Sequence, residues 1–247
     1  MIGHSRGVSK ASGLGREIRR KFRDVGFWET LKLGARKLIF ELRKVASLKR
    51  QNLHPFDLRH GTDTSGIIEP WALDIPADMV AHAVRYQTGI VEVFLDILNS
   101  LSISYEEFLF IDLGSGKGRA LLLASHFPFK GIIGVELSAN LHRIAGRNIQ
   151  IYRDELQQCH KIQSVCANAV NYEIPYEKIV FYLFNPFDEY VMCAALSNIE
   201  DSIHRYPRDI YIAYLKPVHR HLLNQAPFLL LFKETERYVI YKNKPLG

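Results

Sequence analysis

The segment Phe110-Ile111-Asp112-Leu113-Gly114-Ser115-Gly116-Lys117-Gly118-Arg119 constrains this chain more than any other. An apolar run from Phe108 to Ile111 reads as a strand, three closely spaced glycines read as a tight turn, and the apolar residues that follow read as a helix. Glycine lets the backbone approach a ligand closely, and the helix that follows presents free N–H groups at its start. In open α/β sheets such a turn lies at the carboxyl edge, where ligands bind. Two common ligands are excluded by spacing. A P-loop needs a hydroxyl residue after its lysine to hold magnesium, but Lys117 is followed by Gly118 and Arg119. A dinucleotide turn needs its third glycine where Arg119 stands, and here that glycine comes one residue early.

Short apolar runs alternate with helix-length segments beyond residue 105. Strands are expected at Gly131 to Val135, Ile162 to Cys166, Lys178 to Phe184 and Asp209 to Leu215, with a helix capped by Ser138 running to about Leu156. This alternation predicts an α/β fold, a mostly parallel sheet with helices on both faces. The end differs. Residues 228–233 and 237–242 are two strands with only a turn between them, so a terminal antiparallel hairpin brings the sheet to seven strands.

The spacing Asp-Leu-Gly-x-Gly-x-Gly resembles motif I of class I S-adenosylmethionine-dependent methyltransferases, and further features of that family follow in order. Glu136 ends the second strand, Asn168-Ala169 follows the third, and Asn185-Pro186-Phe187 follows the fourth. The resemblance covers residues 105–247 and implies a Rossmann-like sheet with S-adenosylmethionine as cofactor. It implies that Asp112 takes the cofactor's ammonium and that Gly114, Ser115, Gly116 and Gly118 line it. Glu136 would accept from both ribose hydroxyls, beside Leu137, since a carboxylate offers two acceptor oxygens to a vicinal diol. Asn168 and Ala169 would flank the adenine, Asn168 through its amide oxygen because it stands where Asp is commoner. Asn185, Pro186 and Phe187 would form the catalytic segment and touch the cofactor's reactive end. Many members that methylate nitrogen have Asn/Asp-Pro-Pro-Tyr/Phe at this place; here Phe187 replaces the second proline and Asp188 the aromatic residue. The phrases Asp-Leu-Gly-Ser-Gly and Gly-Val-Glu are also similar to those of protein-lysine methyltransferases of the Dot1-like and mitochondrial ATP synthase c-subunit type.

Charge divides the chain. Residues 1–50 hold 14 Lys and Arg against 4 Asp and Glu, a balance of +10, while the other 197 residues hold 18 against 22, a balance of −4. The overall +6 therefore belongs to an N-terminal arm, and a uniformly basic nucleic-acid-binding body is excluded. In the arm, Trp28, Leu31, Ala35, Leu38, Leu42 and Val45 fall on one helical stripe with Lys32, Arg36, Arg43 and Lys44 off it. Such a helix lies on an anionic surface of lipid, RNA or protein, or packs on the body with its basic face in water. Residues 51–104 form a lead segment: a long loop containing Thr62-Asp63-Thr64, a helix opened by Pro76, and a second capped by Thr88 that turns Ile90, Val91, Phe94, Leu95 and Leu98 inward. Tyr86 and the threonine loop are candidates for a lid over the cofactor. Cys159, Cys166 and Cys193 have neither disulfide nor zinc spacing, no metal is expected, and no apolar run approaches the ~20 residues of a membrane span. A cytoplasmic enzyme is expected, N-directed on a protein side chain or a small molecule. RNA methylation using the arm, and a non-catalytic binding module of the same fold, are the alternatives. His219 and His221 read as surface residues.

Overall fold

The computed structural model describes residues 54–245 and, within the arm, only Ala35. The helix expected across Trp28 to Val45 thus lies outside the described residues.

Seven strands form one sheet: β1 (Phe108–Leu113), β2 (Gly131–Glu136), β3 (Ile162–Cys166), β4 (Lys178–Phe184), β5 (Ile210–Leu215), β6 (Leu229–Glu234) and β7 (Tyr238–Asn243). Their order is β3-β2-β1-β4-β5-β7-β6. The first five run parallel, and β7 lies antiparallel between β5 and β6. The order reverses between β1 and β4, so a crevice opens beyond the carboxyl ends of these two strands.

The central strands are buried on both faces, which is why they read as unbroken apolar runs. Phe108 and Phe110 point to one side and join Val180, Ala213 and Ile240. Helices α2 (Val91–Asn99), α3 (Arg119–Ala124) and α4 (Ala139–Ile151) accompany that face. Ile111 and Leu113 point to the other, with Ile179, Phe181 and Ile212, under α5 (Glu189–Arg205) and α6 (Arg220–Gln225).

Several helix boundaries differ from expectation. Thr88 caps nothing: α2 starts at Val91 after Ile90, without a side-chain cap. Its buried face is Val93, Phe94, Ile97 and Leu98, while Ile90 is exposed. Helix α4 stops at Ile151 rather than near Leu156, because Tyr152 turns extended and buries its ring against Phe56, 5.9 Å away, and His60, 4.8 Å away. Pro76 opens a 3-10 helix, Ala77–His82, not an α-helix. The loop expected through residues 51–75 contains helix α1 (Pro55–His60) and a 3-10 turn at Pro70–Ala72. Among the described residues no helix is long and apolar enough to cross a membrane.

The lead segment is fastened to the sheet domain by buried polar groups. Asp57 is 1% exposed. Its carboxylate accepts from Thr62 Oγ1 at 2.7 Å, from Thr64 N at 2.9 Å and Oγ1 at 2.6 Å, and from Ser65 Oγ. Arg119 at the start of α3 completes the cluster: Nε donates to Thr64 Oγ1 at 2.7 Å and a terminal nitrogen reaches Asp57 at 3.4 Å. Beside it, Lys117 Nζ donates to Asp63 at 2.7 Å and to the Ser65 carbonyl at 2.8 Å. Asn148 of α4 bridges the two segments, donating to the carbonyls of Asp63 and Lys117, both at 2.9 Å.

Burial alone would raise the Asp57 carboxyl, but the hydroxyl donors of Ser65, Thr64 and Thr62 together hold it below its ordinary value. Its folded pKa being depressed, its stabilisation is present above the unfolded pKa and lost as pH falls through the folded one. Asp57→Ala strands the Arg119 guanidinium in the interior. Stability should fall by about 3–5 kcal/mol at pH 7, as for other buried pairs broken on one side. Chemical denaturation at pH 7 and pH 3 checks both statements, with a smaller difference between wild type and variant expected at the lower pH.

Candidate functional site

The turn after β1 is held by its neighbour strand. The N–H groups of Gly114 and Ser115 donate to the Val135 carbonyl at 2.8 and 3.1 Å, and Gly118 N–H closes on Ser115 O at 2.9 Å. Gly114 and Gly116 have φ of 84° and 54°, the left-handed region. Each also has a neighbour pressed against its Cα. A Cβ on Gly114 would lie 2.6 Å from Pro186 Cβ, and one on Gly116 would lie 2.3 Å from Tyr86 Cε2. The turn is therefore enclosed by the segment after β4 on one side and by the lead segment on the other.

This enclosure shapes a cleft of roughly 1160 Å³ including its open mouth. It brings together Asp112, Gly114, Ser115 and Gly116 from the turn, Glu136 and Leu137 after β2, and Asn168 and Ala169 after β3. Asn185, Pro186 and Phe187 after β4 join them, as does Tyr86. Of the residues expected at the site, Gly118 does not line it. Its φ of 85° begins α3, and a Cβ there would meet Ala145 of α4 at 3.2 Å, so this glycine serves helix packing. Thr62, Asp63 and Thr64 also stay outside the cleft and act as fasteners.

Two buried carboxylates face the cleft. Asp112 has no hydrogen-bond partner among the described residues, and burial, with the neighbouring Glu136 charge, pushes its pKa well up. Glu136 is likewise raised by burial, although Oε2 accepts from Gly116 N–H at 2.7 Å and Oε1 from Ser138 N–H at 2.8 Å. Each oxygen keeps a second lone pair for a ligand. Tyr182, directly beside Asp112 in the β1–β4 register, also lines the cleft. Burial and the Asp112 charge push its hydroxyl far up. In sequence Tyr182 reads as a core aromatic; the signal that finds it is register, since it lies opposite Asp112 on the same face.

Asn168 turns its amide oxygen onto its own loop, accepting from Val170 N–H at 3.0 Å. The Asn168 oxygen keeps a second lone pair, and its NH₂ has no partner among the described residues. Asn185 adopts φ of 41°, which asparagine tolerates better than most residues. Tyr214 Oη donates to its Oδ1 at 3.2 Å and accepts from His219 N–H at 3.3 Å. Phe184 and Phe187 line the cleft, Phe184 already covered by Lys216 Nζ 5.3 Å from its ring centre, while Phe181 lies in the opposite core. His219 and His221 do not line it. His221 instead meets Glu189 at 3.1 Å on the surface.

The strands, turns and cleft define the fold of class I methyltransferases. No family model and no curated protein matches the sequence. Among solved structures, a putative methyltransferase from Escherichia coli, yhhF, matches 70% of this chain and 92% of its own at a TM-score of 0.52 and 15% identity. At a looser TM-score of 0.42, also 15% identical, an RNA methyltransferase from Salinibacter ruber in complex with S-adenosyl-L-homocysteine matches 63% of this chain and 91% of its own.

Gly116→Ala should destabilise the chain by about 1–3 kcal/mol, the cost typical of overpacking. Combining it with Tyr86→Ala should cost less than the two changes added together, because the second removes the ring that the new methyl strikes. A denaturant-unfolding double-mutant cycle measures this coupling; strict additivity would place Tyr86 away from the turn.

Proposed function

We propose that this protein is an S-adenosylmethionine-dependent methyltransferase directed at nitrogen on a protein side chain or a small molecule. The observation that carries the reading is Asp112: a buried carboxylate with no hydrogen-bond partner among the described residues, at the end of β1, beside a glycine turn open to the cleft. Burying an unpaired carboxylate is costly unless a ligand supplies the counter-charge. A cofactor bearing an ammonium and a sulfonium supplies two positive charges, and when bound it supplies the activated methyl group.

The remaining residues fit the other parts of that molecule. Glu136 would hold the ribose hydroxyls with its two spare lone pairs. Leu137 and Ala169 would flank the adenine, with the Asn168 NH₂ offering a hydrogen bond to a ring nitrogen. Ser115, Gly116 and Tyr86 would enclose the amino-acid end. Beyond it, the Asn185 oxygen, fixed by Tyr214, and the Pro186 carbonyl would orient the acceptor's N–H groups beside Phe187. The rate would then come chiefly from positioning. The similarity of Asp-Leu-Gly-Ser-Gly to protein-lysine methyltransferases supports a protein acceptor. The +10 arm supports a second reading, an RNA acceptor gripped through its phosphates.

Asp112→Asn should weaken S-adenosylmethionine binding about 10–100-fold, the worth of a charged hydrogen bond. Because the free carboxyl is raised and a cation favours its ionised form, binding releases a proton and affinity should rise with pH. The asparagine variant should lose most of that slope, and 5′-methylthioadenosine, which lacks the ammonium, should show little of it in wild type. Calorimetry measures all three; no binding of S-adenosylmethionine to wild type would sink the reading and leave a non-catalytic module. Asn185→Ala should retain the cofactor yet lose transfer of labelled methyl into fractionated cell extract. The fraction that takes up label in wild type separates protein, small-molecule and RNA acceptors.

A further inference from the structure

Beside the catalytic segment the lead segment contributes a group that the reading above does not use. His82 ends the 3-10 helix Ala77–His82 and lines the cleft with Asn185, Pro186 and Phe187. Its Nδ1 lies 2.6 Å from Asp188 Oδ2. The two residues are also joined through the backbone, Asp188 N–H donating to the His82 carbonyl at 3.3 Å beside the Ala83–Phe187 bridge.

The Asp188 carboxylate is fixed and ionised. Its other oxygen caps α5, accepting from Val191 N–H at 3.0 Å. Burial works against its charge, but the Val191 and His82 hydrogen bonds outweigh it and hold the pKa below the ordinary value. An ionised carboxylate can only accept, so the proton of neutral His82 sits on Nδ1 and the lone pair is left on Nε2. Nε2 has no hydrogen-bond partner among the described residues. The ring packs on Tyr190, centre to centre 5.0 Å with the planes 29° apart, and Tyr190 itself is exposed. The other ionisable groups around the pair are Glu189 on α5, His219 near Asp188, His221 paired with Glu189, and Asp78 and Arg85 on its own segment.

We infer that His82, oriented by Asp188, is the proton acceptor for a methyl acceptor that arrives as an aliphatic ammonium. This rests on the proposed methyltransferase reading. An oriented base is needed only where the nucleophile must shed a proton first, and a cation suits a wall made of the Asn185 oxygen and the Phe187 ring, with the Asp188 carboxylate directly behind His82. The ammonium gives one proton to His82 Nε2. Its freed lone pair forms the N–C bond to the methyl group as the C–S bond breaks with its electron pair going to sulfur. The imidazolium, stabilised by Asp188, then passes its proton to water, and the product leaves as the methylated ammonium beside a neutral thioether.

Two variants separate this role from a structural one. His82→Gln removes the base but keeps an N–H for Asp188. Asp188→Asn keeps the α5 cap, yet its NH₂ now donates to Nδ1 and moves the ring proton to Nε2. Imidazole ¹⁵N NMR of the protein bound to S-adenosylhomocysteine should show His82 protonated at Nδ1 in wild type and at Nε2 in Asp188→Asn. Calorimetry should give both variants S-adenosylhomocysteine affinities within about twofold of wild type, the readout that they fold. Labelled-methyl transfer from S-adenosylmethionine into cell extract should fall about 100-fold in both at pH 7, the scale of general-base catalysis. The deficit should shrink as pH rises towards 9.5, where the amine loses its own proton, and the label should survive acid hydrolysis as an N-methyl amine. An Nε2–H tautomer in wild type, a deficit independent of pH, or undiminished transfer by His82→Gln overturns the inference while leaving the cofactor assignment standing. Absence of S-adenosylhomocysteine binding to wild type overturns both.

Discussion

The Arg119 guanidinium is 4% exposed and therefore has to be matched inside the protein. Its partners, Asp57, Thr64 and Ser65, all belong to the lead segment, over fifty residues earlier in the chain. Neither side can be buried without the other: Asp57 alone would be an uncompensated acid, and Arg119 alone an uncompensated base. This mutual requirement seats the lead segment over the glycine turn, delivers Tyr86 to Gly116, and carries the chain on to His82 and the far wall of the cleft. The residue that stands where a dinucleotide turn would have glycine is thus the anchor on which the rest of the site is assembled.

Charge is distributed to match. The cleft gathers the carboxylates of Asp112 and Glu136 with Arg85 and Arg119 on its wall, the Arg119 guanidinium being turned towards Thr64 and Asp57 of the lead segment. The basic arm is a separate element of the charge pattern, +10 over residues 1–50 against −4 over the rest.

What could be read in the sequence and what could not divide along a physical line. Strand β4 lies where its apolar run places it, because burial on both faces writes itself into consecutive residues. The turn residues Asp112, Gly114 and Gly116 and the strand-end residues Glu136, Asn168 and Asn185 converge because parallel strands put their carboxyl ends on one edge. Contacts between distant segments left no such trace. Thr88 has the right chemistry for a cap, yet packing against Phe110 and Tyr182 through Phe94 set the start of α2 instead. The end of α4 was decided by a slot for Tyr152 built from α1. The pairing of Tyr182 with Asp112 required strand register, and that of His82 with Asp188 joins residues 106 positions apart.

Between Ile68 and Tyr86 the chain forms an arch over the cleft with three footings. The bridge of Ile68 to Tyr86 stands beside the glycine turn, Asp74 accepts from Ser138 Oγ and Asn140 N–H at the start of α4, and Ala83 pairs with Phe187 beyond β4. The span carrying Leu73, Ile75 and Met79, which roof the cleft, is built from 3-10 turns, the weaker form of helix. Access to the cleft on this side passes beneath that span. One of the points that hold this roof in place is therefore Asp74, a residue that touches the helix cap rather than the chemistry.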